Sequence, residues 1–239
     1  MNWDTELSIL RDDKTLIRNE YLTTLAKQED FVSLFLLLFT GMHPSSEMIR
    51  MVQGILMIAI DHGIGNASTM SARLAASTNA SIPQALIAGI ASFGSAHGGA
   101  TYDAAVWLSH NVAQGISLDN AITSARTQSL KIPGFGHALL HEDDRTEYIF
   151  SLAKECNYFR SHCAYALEIE TGLSALKGKS IPLNIDGAIA AVTLDMGLTP
   201  DMAMCFFLIA RVPGLLAHIC EERNSGKGIR RLEKGDTSS

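Results

Sequence analysis

Three short segments place an ionisable side chain beside glycines at what should be the end of a helix. They are Gly94-Ser95-Ala96-His97-Gly98-Gly99-Ala100, Pro133-Gly134-Phe135-Gly136-His137-Ala138 and Leu183-Asn184-Ile185-Asp186-Gly187. A helix end leaves backbone N–H groups free and lets a side chain reach a cleft. Two imidazoles and one carboxylate make an acid–base set. Taken singly, each segment reads better as an ordinary helix stop with a satisfied, partly buried side chain. A second constellation, His137-x3-His141 followed by Glu142, Asp143 and Asp144, sets two imidazoles one helical turn apart. It lacks the Glu that follows the first histidine in zinc peptidases, so no metal is expected and His141 reads as a surface residue.

The elements that must carry these residues are helices. Apolar residues recur every three to four positions in nearly every segment, and no alternating run closed by a hairpin turn stands out. Met48, Ile49, Met51, Val52, Ile55, Leu56 and Ala59 form a stripe that predicts a helix between Ser46 and Ile60. Ser81-Ile82-Pro83-Gln84 has capping-box spacing, Thr199-Pro200 supplies a cap and a first-turn proline, and Gly115 and Gly197 stand where helices stop. Pro213 should bend the last helix rather than end it, because Leu215, Leu216 and Ile219 resume its stripe. Met42, Met48, Met51, Met57 and Met70 read as core filler. The expectation is an all-α fold, a single domain over 1–239 with a small subdomain about 132–200 beginning at the Ile132-Pro133-Gly134 break.

Composition sets the outer bounds. A hydrophobic fraction of 47% with 18% charged residues excludes a disordered chain, and 239 residues suffice for a substantial core. A formal charge of -6 removes the electrostatic case for nucleic-acid binding, so an anionic ligand needs a local basic pocket. The longest apolar run, Phe31 to Phe39, falls short of the roughly 20 residues that cross a bilayer. The first residues are acidic (Asp4, Glu6) where a secretory signal is basic, so the expectation is a cytoplasmic protein without a membrane span. Cys156, Cys163, Cys205 and Cys220 lie apart with no CxxC pair and read as reduced, buried thiols.

Taken together, the three glycine-flanked segments resemble the citrate synthase superfamily, in which His97, His137 and Asp186 would stand at the positions of the catalytic triad. The resemblance extends further. Ala59-Ile60-Asp61-His62-Gly63, followed by Ser71 to Thr78, is similar to the family's segment with an oxaloacetate-binding histidine. Asp144-Arg145 follows His137 at the family distance, and Ile209 to His218 is similar to the last active-site helix. The match runs from about Glu20 to about Arg231. Most of the N-terminal region of full-length citrate synthases is absent, so the fold is expected to be truncated there. In this it is closer to compact citryl-CoA lyases and the lyase module of ATP-citrate lyase. Tyr165 to Glu170, ahead of Leu183, is also closer to those lyases.

The resemblance implies a citrate synthase-like helical fold with a large and a small subdomain. It implies Asp186 as the base at the methyl carbon of an acyl thioester and His97 as hydrogen-bond donor to the thioester oxygen. His137 then acts on the 2-oxo carbonyl and its alkoxide, and the same residues serve both directions. His62, Arg145 and Arg211 are implied to bind the dicarboxylate, with Arg230 or Arg231 reaching across a homodimer; a guanidinium fork matches a carboxylate. Ile132, Pro133, Gly134, Phe135 and Gly136, with Lys177 and Lys179, are implied to hold coenzyme A, a substrate or product rather than a resident cofactor. The basic tail is equally an ordinary solvated face, and Lys177-Gly178-Lys179 equally a surface turn. Three functions are in view: cleavage of citryl-CoA to acetyl-CoA and oxaloacetate, condensation of an acyl-CoA with oxaloacetate by a citrate or 2-methylcitrate synthase, and a catalytically silent ligand-binding paralogue. A silent protein has no chemical reason to keep all three triad residues.

Overall fold

This computed structural model describes residues 4–94, 97–127, 131–136 and 143–231, which form eleven helices and a small antiparallel meander. The chain divides into two compact units, residues 1–53 and 54–239. The subdomain expected about 132–200 falls inside the second.

The first unit opens with β1 (Ser8–Arg11), β2 (Lys14–Ile17) and β3 (Glu20–Tyr21). Arg11 pairs with Lys14 and Ile17 with Glu20, which leaves the two-residue loops Asp12-Asp13 and Arg18-Asn19. All four loop residues have positive φ, at 49°, 58°, 48° and 70°. That is the type I′ geometry whose twist matches paired strands. The all-α expectation holds for the rest of the described chain, and this meander, which no alternating run with a hairpin turn announces, is the exception. The strands are too short to show alternation, and neither loop carries the usual Asn-Gly or Asp-Gly signal. After them come α1 (Leu22–Gln28) and α2 (Phe31–Thr40), the latter capped by Asp30, which accepts from Ser33 N at 2.8 Å, and closed by Gly41 at φ 74°. Arg18 Nη2 donates to Leu38 O at 2.9 Å and ties the meander to α2. The unit boundary falls within α3 (Ser46–Ile58).

The second unit continues through α4 (Ala67–Ser77), α5 (Ile82–Ala91), α6 (Ala100–Ala113), α7 (Leu118–Thr127), α8 (Asp144–Glu155), α9 (Ser161–Lys177), α10 (Ile185–Asp195) and α11 (Pro200–Asn224). The central helix is α10, packed against α6, α8, α9 and α11. Every residue in it is buried except Asp186, which is half-buried. Gly187, Ala188, Ala190 and Ala191 keep its surface thin enough for neighbours on all sides, while Ile189, Val192 and Leu194 each contribute about 1.5–3 kcal/mol of apolar burial. The half-buried carboxylate in its first turn is thus the one residue of this helix that is not buried. At the other end, Asp195 accepts from the backbone N–H groups of Arg160, His162 and Cys163 at 2.8, 3.0 and 3.0 Å and from His162 Nδ1 at 2.8 Å. It therefore caps α9, which has no capping side chain of its own.

The last helix, α11, is long and apolar enough by length and composition to cross a membrane. It packs against α4, α5, α6 and α10 and buries Arg211 and Glu222, as a core helix does. Pro213 lies inside it without ending it, at the cost of the helical donor for the Ile209 carbonyl. The capping box at Ser81 and Gln84 and the Thr199 cap are both formed. The methionine expectation is corrected: Met51 is buried, whereas Met42, Met57 and Met70 are 69%, 61% and 53% exposed. None of the four cysteines is in a disulfide; Cys156 and Cys163 are buried, but Cys205 is half-buried and Cys220 exposed.

Candidate active site

His97 sits in a turn built by glycines. Gly94 N donates to His97 O at 2.7 Å and His97 N to Gly94 O at 2.9 Å. Gly98 has φ +80°, and a Cβ there would lie 2.5 Å from the Phe93 ring. The N-terminus of α4 faces the imidazole. Asn66 caps that helix by accepting from Thr69 N at 3.0 Å, which leaves Ser68 N to donate to His97 Nε2 at 3.3 Å, with Ser68 Oγ 2.9 Å from the same nitrogen. A backbone N–H can only donate, so Nε2 holds the lone pair and the ring proton is on Nδ1. Burial pushes the His97 pKa down from its ordinary 6.5, the Arg211 charge adds to this, and Asp186 offsets only part of it. The positive end of α4 acts in the same sense as Arg211. A neutral imidazole with its proton on Nδ1 can donate one hydrogen bond from that atom.

Asp186 stands in the first turn of α10 behind the cap Asn184, which accepts from Gly187 N at 3.2 Å. The 132–136 loop is fastened to this helix start. Gly136 N donates to Pro182 O at 2.7 Å, Asn184 N to Gly134 O at 3.0 Å, and Asn184 Nδ2 to Gly136 O at 3.0 Å. A Cβ on Gly134, at φ +85°, would lie 2.8 Å from Gly187 Cα, and one on Gly187 would lie 2.6 Å from Gly134 O. The glycines of the second and third motifs are thus needed by each other. His137, directly after this loop, lies outside the described residues, as do His141 and Glu142. The same fastening sets Ile132, Pro133, Gly134, Phe135 and Gly136 beside the 178–184 turn, at whose start Lys177 and Lys179 are exposed.

One buried carboxylate organises the cationic side. Asp143 accepts from Arg145 Nε and Nη2 at 2.8 Å each and from Ile185 N at 3.2 Å. Burial alone would raise its pKa, but the hydrogen bonds and charge of Arg145 hold it below its ordinary value. Arg145 Nη1 donates to His62 Nδ1 at 2.9 Å, so these two predicted ligand residues meet. The His62 loop is held by Gly63 N donating to Asp61 Oδ2 at 3.1 Å and by His218 Nε2, 3.3 Å from Asp61. Arg211, on α11, is 4% exposed and stands 5.2 Å over the Phe207 ring. Its Nε and Nη1 are buried without a hydrogen-bond partner among the described residues. Burial pushes its pKa down while Asp61 and Asp186 pull it up and Arg145 pushes it down again, so all four groups share one field. An unpaired buried guanidinium is costly unless a ligand completes it. The site therefore gathers a neutral imidazole, a carboxylate and a buried guanidinium with unpaired donors.

The two tail arginines differ. Both are exposed, but Arg230 Nε and Nη2 bind buried Glu222 of their own chain at 2.5 and 2.8 Å, a pairing that Arg231 does not share. Both line a hollow of 470 Å³ with Ile64, Met70, Arg73 and Leu74. Among the described residues no cluster of three His, Cys, Asp or Glu could hold a metal ion.

The family model for the citrate synthase C-terminal domain matches residues 13–232. The chain belongs to the citrate synthase family. It is 28% identical over 199 residues to Citrate synthase 2 of Bacillus subtilis, covering 82% of this chain and 53% of that protein. It is 26% identical to ATP-citrate synthase subunit 1 of Sordaria macrospora, covering 76% of this chain and 29% of the relative. It thus spans about half the length, or less, of these curated relatives. The citryl-CoA lyase structure from Hydrogenobacter thermophilus is 33% identical, with a TM-score of 0.92 over 99% of this chain and 93% of that one. The citrate synthase of Thermotoga maritima shares the fold at 24% identity and a TM-score of 0.73, over 87% of this chain and 57% of that one.

Nothing in this citrate synthase-family sequence marks Ser68, and Asn66 and Asn184 carry only ordinary cap spacing, while Asp143 stands out only as a neighbour of the His137-x3-His141 pair and not as the partner of Arg145. Thr101 carries no signal at all, since nothing local to α6 shows that Asp186 lies opposite it.

Proposed function

We propose that this chain is a carbon–carbon lyase of the citrate synthase family that cleaves citryl-CoA, or a close homologue, to acetyl-CoA and oxaloacetate. The observation that carries this is His97, held by Ser68 with its proton on Nδ1, in the same electrostatic neighbourhood as Asp186 and the unpaired Arg211. The near full-length likeness to a citryl-CoA lyase favours cleavage. In this reading His137 removes the proton of the citryl hydroxyl. The carbon–carbon bond then breaks, the alkoxide carbon becomes the 2-oxo carbonyl of oxaloacetate, and its bonding pair passes to the acyl fragment as an enolate. His97 donates to the enolate oxygen, and Asp186, which enters the cleavage direction as the carboxylic acid, delivers its proton to the enolate carbon and leaves as the carboxylate; solvent then returns a proton to Asp186 and takes the one held by His137. Arg211 and Arg145, with His62, bind the carboxylates. The 132–136 loop with Lys177 and Lys179 lies where coenzyme A is to be held. A second copy supplies a further arginine, and the engagement of Arg230 with Glu222 favours Arg231 for that role.

A second reading, favoured by the likeness to Citrate synthase 2, is condensation followed by thioester hydrolysis. Two incubations separate them. Citryl-CoA should release oxaloacetate and acetyl-CoA without free thiol. Acetyl-CoA with oxaloacetate should yield little free coenzyme A; rapid thiol release from that pair would make the chain a synthase, and no reaction in either tube would end both readings.

A further inference from the structure

Thr101 is fully buried, in the first turn of α6, and its Oγ1 donates to Asp186 Oδ1 at 2.7 Å. A helical threonine often spends its hydroxyl on the carbonyl four residues back. Thr101 is only the second residue of α6, so the carbonyl four back, His97 O, lies in the preceding turn, where it accepts from Gly94 N at 2.7 Å, and the hydroxyl bonds Asp186 instead. We propose that Thr101 is a positioning residue that selects Asp186 Oδ2 as the oxygen that exchanges a proton with the acyl carbon. This rests on the reaction class proposed above.

The terminal torsion of an aspartate is broad and nearly two-fold, so an unpinned carboxylate presents either oxygen in many orientations. A β-branched side chain packed on all sides holds its hydroxyl still, and one hydrogen bond to Oδ1 then fixes the plane of the carboxylate. Pinning Oδ1 leaves Oδ2 free to react. When Oδ2 gains or loses its proton, Oδ1 remains an acceptor, so the Thr101 bond need not break during the step. A donor on the reacting oxygen would have to leave. The pin is built into the same short stretch as the donor, since Thr101 follows His97 by four residues at the start of one helix.

The test compares Thr101→Val, which keeps the shape and removes the donor, with Thr101→Ser, which keeps the donor. Val should lower kcat about ten- to a hundredfold, with KM for citryl-CoA within about threefold, because misplacing a reacting group acts on turnover. Ser should restore kcat to within about threefold of the parent. Independently of turnover, the Asp186 carboxyl ¹³C resonance, assigned by its loss in Asp186→Asn, should move in Val and stay in Ser. Val at near-parental kcat, or a resonance unmoved by Val, would overturn the proposal, as would Ser as impaired as Val. If the parent turns over no substrate, the reaction class fails, while the resonance still decides whether Thr101 holds the carboxylate.

Discussion

Arg211 is the residue at which stability and function pull in opposite directions. It is buried with two guanidinium nitrogens unpaired among the described residues, where the Phe207 face and the field of Asp61 and Asp186 offset its desolvation. Replacing it with Met removes the unpaired charge and keeps most of the volume. The unliganded protein should gain about 1–2 kcal/mol in stability, the opposite of most core substitutions. Oxaloacetate affinity should fall about ten- to over a hundredfold, as expected for one lost charge-assisted pair. Thermal melts with and without oxaloacetate read both at once. A destabilised Arg211→Met, or one that keeps parental oxaloacetate protection, would show that the guanidinium serves packing rather than an anion.

Among the elements, α9 depends on a carboxylate from α10. Asp195 satisfies three backbone N–H groups at the start of α9, so Asp195→Ala should cost about 2–4 kcal/mol, more than an ordinary cap, in a denaturant titration near neutral pH. Burial alone would raise the Asp195 pKa, but His162 and the backbone donors hold it below 3.8. A depressed carboxylate binds fewer protons folded than unfolded, so its contribution is whole above about 3.8 and is lost as pH falls through the lower folded value. Asp195→Asn should flatten the acid loss of stability in that range; an unchanged acid profile would refute this. Local spacing made such helices legible, as the Ser81-Gln84 box, the Thr199 cap and the Gly197 stop show. It could not reveal Asp195 as a cap, because the bonds it makes join residues more than thirty apart. The Asp12-Asp13 and Arg18-Asn19 turns were missed for another reason: non-glycine residues there adopt a backbone that local preference disfavours. At the site, glycine spacing pointed to His97 and Asp186. Ser68, Thr101 and Asp143, which orient the groups that do the chemistry, emerge only when distant helix starts converge.

At the scale of the molecule, α4 and α5 leave large apolar side chains open in a single chain: Met70 and Leu74 are 53% and 51% exposed, Ile87 64% and Ile90 37%. With Arg231 exposed nearby on the tail, these faces fit the proposal of a second copy that completes each site. Sedimentation at micromolar concentration should find a dimer, and an active monomer would contradict the shared site. The most direct test of the proposed chemistry follows the proton. Citryl-CoA cleaved in D₂O should give acetyl-CoA with one deuterium in its methyl group in the first turnover, because Asp186 delivers a solvent-exchanged proton to the enolate carbon. In Asp186→Asn the same measurement should find cleavage about 10² to 10⁴-fold slower in a protein that still folds and binds coenzyme A. Cleavage by Asp186→Asn within a few-fold of the parent, with deuterium still placed in the methyl group, would contradict the assignment of Asp186 and the mechanism built on it.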